Sequence, residues 1–292
     1  MDSINHWFQK NNGSPSNELN IDEALNVAKE AAYIGGKVIK KRFGETSGMR
    51  LKRGIEIQTP VDVETERVIA SLIERHFPDH GIIGEESGTK HGTSPYTWVI
   101  DPLDGTSNFV LNIPQVAVCV SLKNDDDVLL TVIHQPIIDM TYTAVRGAGA
   151  YVNGKLIQLQ PRDVLLAKST VCSILTYAMH DNPLIHSVIN KLYKSTRRLL
   201  DTWTPSLDWC MLATSKIDAL VYFSDERLWI DPGMLAGAFF FHEAHGLISN
   251  LNGDITTEMT QLTSVIAAPA SSMIEQISRL IVDEPLVKKL SG

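Results

Sequence analysis

Three cysteines in 292 residues, Cys119, Cys172 and Cys210, are odd in number and widely spaced, so they form neither a disulfide framework nor a zinc-binding pattern. All three lie among apolar neighbours, which predicts buried free thiols and a reducing, cytoplasmic setting. No apolar run is long enough to cross a membrane. Positive charge is in deficit, with 26 Lys and Arg against 34 Asp and Glu, and the net charge of −8 argues against a nucleic-acid or anionic-membrane surface. Residues 1–20 have no apolar core of the signal-peptide kind and carry Asn-Asn-Gly-Ser-Pro-Ser, which reads as a flexible N-terminal tail. No internal repeat, low-complexity block or linker interrupts the remainder, so residues 21–292 are expected to form one domain of two α/β halves with a boundary near 160.

What is present is a pair of carboxylates at the end of an apolar strand. In Trp98-Val-Ile-Asp101-Pro-Leu-Asp104-Gly-Thr-Ser-Asn-Phe109 the β-rich run ends at Ile100 and delivers Asp101 to the sheet edge, where open α/β sheets bind ligands. Asp104 follows on a turn stiffened by Pro102. Gly105 allows close backbone approach, and Thr106 to Asn108 open a helix whose free N–H groups suit a phosphate. Upstream, Gly81-Ile-Ile-Gly84 leads in the same way to Glu85 and Glu86. Alone, an Asp-Gly pair is a common turn and two glutamates a solvated loop. Both motifs after apolar strands, in this order, point instead to a cluster of hard oxygen ligands. With no His or Cys beside them in sequence, these ligands suit Mg²⁺ better than zinc. Two such ions about 4 Å apart perform hydrolytic phosphoryl chemistry.

Periodicity predicts helices over 21–43 and 63–77, the second with Asp62 at its start as an N-cap, and antiparallel strands over 115–122, 128–135 and 140–145. Val152-Asn-Gly-Lys155 is a hairpin signal. Beyond Lys168 the pattern predicts strands at 169–175, 218–223 and 264–267 and helices at 184–193, 206–217, 231–243 and 271–290. His134, His180 and His242 are scattered and read as structural.

Gly84-Glu85-Glu86-Ser87 followed by Asp101-Pro-Leu-Asp104-Gly-Thr-Ser-Asn-Phe109 resembles the inositol monophosphatase family, whose superfamily includes fructose bisphosphatases and 3′-phosphonucleotide phosphatases. The resemblance implies an α/β fold layered as an α-β-α-β-α sandwich, a homodimer, and a small phosphorylated substrate. It implies two or three Mg²⁺ ions per site. Glu85, Asp101 and the Leu103 carbonyl would hold the first ion, Asp101, Asp104 and Asp231 the second. Glu85, Thr106 and Asp62 would orient the attacking water, Asp62 by bonding the Thr106 hydroxyl, and the Gly105 and Thr106 amides would hold the phosphate. Asp231 is also assigned to the substrate side.

The C-terminal half departs from the pattern. Counting back from Glu243-Ala-His-Gly246 without gaps puts Gly233 where the family has its last carboxylate ligand, so Asp231 fits only with a two-residue insertion, and Asp225 and Glu226 are fallback ligands. Trp203-Thr-Pro205 stands where small residues face the sugar. The acid that contacts inositol falls on Tyr222, Ser224 or Glu226, depending on alignment. Arg197, Arg198 and Arg227 are ordinary surface cations or contacts to a second anionic group. The expected activity is Mg²⁺-dependent hydrolysis of a small phosphate monoester such as inositol monophosphate. A sugar-bisphosphatase or 3′-phosphonucleotidase is the alternative within catalysis, and a family member acting mainly by binding is the alternative outside it.

Overall fold

The computed structural model describes residues 19–52, 56–125, 127–224, 231–256 and 263–290. The expected tail over residues 1–20 lies outside them apart from its last two positions.

Helix α1 (Ile21–Lys41) opens at the N-cap Asn20, whose side chain accepts from the Glu23 N–H, and carries Asp22 and Glu23 in its first turn and Lys40 and Lys41 in its last. That charge order complements the helix dipole. A hairpin of β1 (Arg50–Lys52) and β2 (Glu56–Gln58) leads into α2 (Pro60–His76). This helix begins three residues before the expected start. Thr59 is its N-cap, Pro60 its first residue, and Asp62 closes a capping box from the third helical position. Proline suits the first turn because its φ is already helical and its missing N–H would have had no partner there.

The first sheet holds β3 (Gly81–Gly84), β4 (Gly88–Lys90), β5 (Tyr96–Asp104), β6 (Ala117–Asn124), β7 (Asp127–Gln135), β8 (Met140–Val145), β9 (Gly149–Val152) and β10 (Lys155–Leu156) in the order β10-β9-β8-β7-β6-β5-β3-β4. The short helix α3 (Thr106–Val110) lies between β5 and β6. Only the β3–β5 pairing is parallel. At the β9–β10 turn Asn153 and Gly154 both take positive φ, as a type I′ hairpin requires.

The second half contributes β11 (Thr170–Leu175), α4 (Tyr177–His180), α5 (Ile185–Ser195), β12 (Arg198–Leu200), α6 (Pro205–Ala213), β13 (Ala219–Phe223), α7 (Pro232–Glu243), β14 (Leu247–Ser249), β15 (Val265–Ala268), α8 (Ser271–Ile281) and α9 (Pro285–Leu290). Its sheet runs β12-β11-β13-β15-β14. The single terminal helix expected over 271–290 is two helices, since Pro285 disfavours helical geometry in the residue before it and then starts a new helix itself.

These elements stack as α-β-α-β-α. One core joins α1 and α2 to the eight-stranded sheet. A second joins the other face of that sheet, through α6 and α7, to the five-stranded sheet, and a third covers the far face of that sheet with α5, α8 and α9. The middle layer explains why α7, with its Met-Leu-Ala-Gly-Ala-Phe-Phe-Phe run, is apolar on every side: it is covered by a sheet above and below. Strand β13 alternates accordingly, sending Leu220 and Tyr222 to the middle core and Ala219, Val221 and Phe223 to the outer one.

Candidate active site

In an undisturbed strand, residues three apart face opposite sides of the sheet, so Asp101 and Asp104 should diverge. They do not, because β5 bulges between them. Asp101 pairs with Cys119 and Asp104 with Ala117, so three steps on β5 match two steps on β6. The extra residue turns both carboxylates to one side. Strand β5 therefore continues through Asp104 instead of ending at Ile100, and Pro102 and Leu103 belong to the bulge. The Leu103 N–H donates to Asp101 Oδ1 at 3.0 Å and fixes its approach.

Asp104 Oδ2 accepts the Ser206 N–H at 2.8 Å, at the first turn of α6. Asp231 is the N-cap of α7, with Oδ1 accepting from the Met234 N–H at 2.9 Å. Gly233 lets these strand and helix carboxylates meet. A Cβ there would lie 2.9 Å from Asp101 Oδ2, 3.3 Å from Asp104 Cγ and 3.3 Å from Asp231 Oδ1. The N-cap reading and the ligand reading of Asp231 thus coexist, and its shifted register places its carboxylate oxygen beside the position that Gly233 vacates. Asp225, Glu226 and Arg227 lie outside the described residues.

Glu85 follows β3 and lies close enough to Asp101 for its charge to raise that carboxyl. Lys52 reaches over from the β1–β2 hairpin, with Nζ 3.2 Å from Glu85 Oε1 and 2.8 Å from Glu86 Oε1. Beneath this turn the buried carboxylate of Glu66 accepts the backbone N–H groups of Glu86 and Ser87, each at 2.8 Å. Glu66 had no sequence assignment, although it lies one helical turn beyond Asp62 on the same face of α2. Lys52 had no local signal at all.

The Thr106 hydroxyl lies 2.8 Å from Asp62 Oδ1 and 3.0 Å from the Leu103 carbonyl, and its one proton serves one acceptor at a time. The other carboxylate oxygen of Asp62 accepts the Thr59 N–H at 2.8 Å and its hydroxyl at 2.6 Å. Gly105 has φ +89°, and a Cβ on it would collide with Thr204 Oγ1 and approach the Gln115 carbonyl to 2.9 Å. Asn108 locks the same region by donating to the carbonyls of Gln115 and Thr202 at 3.0 and 2.7 Å and to Thr204 Oγ1 at 2.9 Å.

Crowded carboxylates in a buried place resist ionisation. Burial, followed by the charges of Glu85, Asp104 and Asp231, raises Asp101 well above the usual carboxylate range. Burial does the same to Asp104, opposed by the Ser206 hydrogen bonds and reinforced by Asp231. Glu85 is pushed up to about 7 chiefly by desolvation, with Lys52 opposing and Glu86 and Asp231 adding to the rise. Asp62 is raised by burial against the hydrogen bonds from Thr59 and Thr106.

One expectation needs correction. A thiol does stand beside the carboxylates, because the sheet register places Cys119 directly opposite Asp101, and the Asp101, Asp104 and Cys119 ligand atoms lie within 4.8 Å of one another. Burial first, then the two aspartates, holds that thiol well above its usual range, so it stays protonated and leaves the hard oxygens to bind a cation. The three cysteines are otherwise free and buried, as expected.

On the substrate side, Tyr222 is buried in the middle core and Ser224 is buried beside it. Arg197 is engaged by the Lys168 carbonyl and the Thr170 hydroxyl, and Arg198 sits on the exposed edge strand β12. His134 is buried against Thr141, consistent with a structural role.

The inositol monophosphatase family model matches residues 20–285. Inositol monophosphatase 1 of Solanum lycopersicum is 32% identical over 254 residues, covering 84% of this chain and 91% of that protein. A fructose-1,6-bisphosphatase/inositol-1-monophosphatase of Aquifex aeolicus is 30% identical over 230 residues, covering 78% and 86% of the two chains. Among solved structures, an inositol monophosphatase of Thermotoga maritima superposes with a TM-score of 0.78 at 23% identity, covering 92% of this chain and 99% of its own. With family-wide matches in sequence and fold, and an acidic cluster able to hold the metal on which that family depends, the chain belongs to the inositol monophosphatase family and is a phosphoric monoester hydrolase.

Proposed function

We propose that this chain hydrolyses a small phosphate monoester with Mg²⁺ held by the carboxylates of Glu85, Asp101, Asp104 and Asp231 and the Leu103 carbonyl, as two or three ions. The observation that carries this reading is the convergence of Asp101, Asp104 and Asp231 around Gly233, with Glu85 near enough to Asp101 to raise it. So much like charge in a buried place needs either protons or cations, and an all-oxygen donor set beside a protonated thiol favours a hard divalent ion. Bound Mg²⁺ supplies charge neutralisation for the phosphate and a more acidic water.

The residues divide the remaining work. Donating its proton to Asp62, the Thr106 hydroxyl presents a lone pair that orients the attacking water, with Glu85 as the adjacent proton acceptor. The Gly105 and Thr106 amides face the phosphate oxygens. Water adds to phosphorus, the ester P–O bond breaks, the leaving oxygen takes a proton, and an alcohol and inorganic phosphate result. No covalent nucleophile is required, so Ser87, Ser107 and the cysteines have no part in the reaction.

Inositol monophosphate is the representative substrate, and residues 21–292 act as one catalytic domain, with the family resemblance supporting a homodimer. A bisphosphatase reading is supported by the likeness to the fructose-1,6-bisphosphatase/inositol-1-monophosphatase of Aquifex aeolicus. It is disfavoured by Arg197, whose guanidinium is already committed to Lys168 and Thr170. A phosphate-release screen over inositol, sugar, nucleotide and histidinol phosphates, with and without Mg²⁺, tests the activity. Asp231→Asn should raise the Mg²⁺ requirement strongly, whereas a rise in Asp225→Asn or Glu226→Gln alone would move the ligand assignment away from Asp231.

A further inference from the structure

Trp203 is 53% exposed and has φ +59°, so a large apolar ring is open to water on a backbone conformation that non-glycine residues seldom adopt. Both features cost stability, and strain of this kind persists where the surroundings enforce it. Here they do. The Thr202 carbonyl and the Thr204 hydroxyl, one residue to either side, both accept from Asn108, and Thr204 donates in turn to the Gln115 carbonyl at 2.7 Å. Asp201 lies beside Trp203 on the same loop. Asn108 belongs to α3, and Thr204 is the residue that abuts Gly105. The backbone that carries the ring is therefore tied to the Gly105 turn.

A second aromatic approaches the same turn from α4. Tyr177 is 46% exposed and lies near the Ser107 side chain and near enough to Glu85 and Asp231 to feel both charges. His180, one turn along, lies with its ring centroid 6.1 Å from that of Tyr177. Two exposed aromatic residues thus adjoin Gly105–Ser107, Trp203 through its neighbour Thr204 and Tyr177 through Ser107. Polyols are recognised by hydrogen-bonding groups directed at hydroxyls, and Tyr222 and Ser224, two of the three positions where the family resemblance expects such a group, are buried.

We propose that Trp203, supported by Tyr177, is a stacking platform that selects phosphate monoesters carrying a flat aromatic or heteroaromatic body, such as a nucleobase, over polyol phosphates. The proposal rests on the phosphatase reading of the adjoining carboxylate site and names its substrate class. An exposed ring on a constrained backbone offers a π-face, and stacking of one base on one ring changes affinity by about tenfold or more.

The test compares adenosine 2′- and 5′-monophosphate with inositol 1-phosphate on the full chain, Trp203→Gly and Trp203→Phe. Glycine accepts positive φ, so Trp203→Gly relieves strain and should fold. The wild-type chain should favour a nucleotide. Trp203→Gly should raise KM for it about tenfold with little change in kcat, leaving inositol 1-phosphate within about twofold, and Trp203→Phe should restore most of the loss. Equal losses on both substrates, an unchanged nucleotide KM in Trp203→Gly, or a wild-type preference for inositol 1-phosphate would overturn the platform. Quenching of tryptophan fluorescence by the nucleotides provides a readout independent of turnover. If no substrate releases phosphate but nucleotide quenching is present in wild type and lost in Trp203→Gly, the phosphatase reading fails while the platform stands. Quenching that is absent, or equal in both, overturns the platform.

Discussion

Asp101 is where the opposing demands of folding and chemistry meet. Without a cation its carboxyl is buried among Glu85, Asp104 and Asp231, whose charges with burial raise it well above the usual carboxylate range, and Asn keeps nearly its size without a charge. Asp101→Asn should therefore fold with a metal-free melting temperature equal to or above that of wild type, since it removes a source of repulsion. Metal-assisted phosphoryl transfer draws several kcal/mol from charge stabilisation, so turnover should fall at least about a hundredfold. Near-wild-type phosphate release from a chelator-treated, purified variant would sink the metal mechanism. Gly105 is constrained differently. At φ +89° and packed against Thr204, Gly105→Ala should lose about 1–3 kcal/mol of stability and disturb the amides proposed to hold the phosphate, which thermal melts and KM for phosphate esters would register.

At the scale of elements, the bulge in β5 shows what a linear pattern can reveal and what it cannot. Two aspartates after an apolar strand were legible, as were Glu85 and the turn at Gly105, because each depends on its immediate neighbours. The same-sided aim of Asp101 and Asp104 depends on pairing with Ala117 and Cys119 in β6, and no local pattern encodes that register. For the same reason Cys119, Lys52 and Tyr177 arrive at the site unannounced, each carried there by an element distant in sequence. The short edge strands β12 and β14 were missed because three residues are too few for alternation to register. The start of α6 contains a further consequence. Asp208 is buried beneath the 201–204 loop, accepts the Thr202 hydroxyl at 2.5 Å, and is raised to about 7, mainly by burial. A carboxyl whose folded pKa exceeds its unfolded value near 3.9 holds its proton more tightly when folded, so stability falls as pH rises between about 4 and 7 and the penalty is complete above that. Asp208→Asn keeps the acceptor for Thr202 and removes the titration. Its melting temperature should fall less than that of wild type between pH 5 and pH 8, both with saturating Mg²⁺, and parallel slopes would refute the assignment.

For the whole molecule, the layered sandwich places the site at a junction. Glu85, Asp101 and Asp104 come from the eight-stranded sheet, whereas Asp231 and the Ser206 amide come from the first turns of α7 and α6 in the middle layer. A cation gripped by both layers is bound by the folded chain and not by the unfolded one, so Mg²⁺ should raise the melting temperature in proportion to the logarithm of its concentration above Kd. That gain must depend on pH. Around pH 6 Glu85, raised to about 7, is mostly protonated, with Asp101 and Asp104 raised as well. Each proton an ion displaces weakens apparent binding by up to about tenfold for every pH unit below the relevant pKa. The melting-temperature rise produced by a fixed, subsaturating Mg²⁺ concentration should therefore grow from pH 6 to pH 8, and Asp101→Asn should blunt it. Glu85→Gln removes one ligand and one displaceable proton, so it should reduce both the rise and its pH dependence. A Mg²⁺-induced shift that is constant across that range would mean that the ion displaces no protons, and that the raised carboxylates of the metal-free chain are not its ligands.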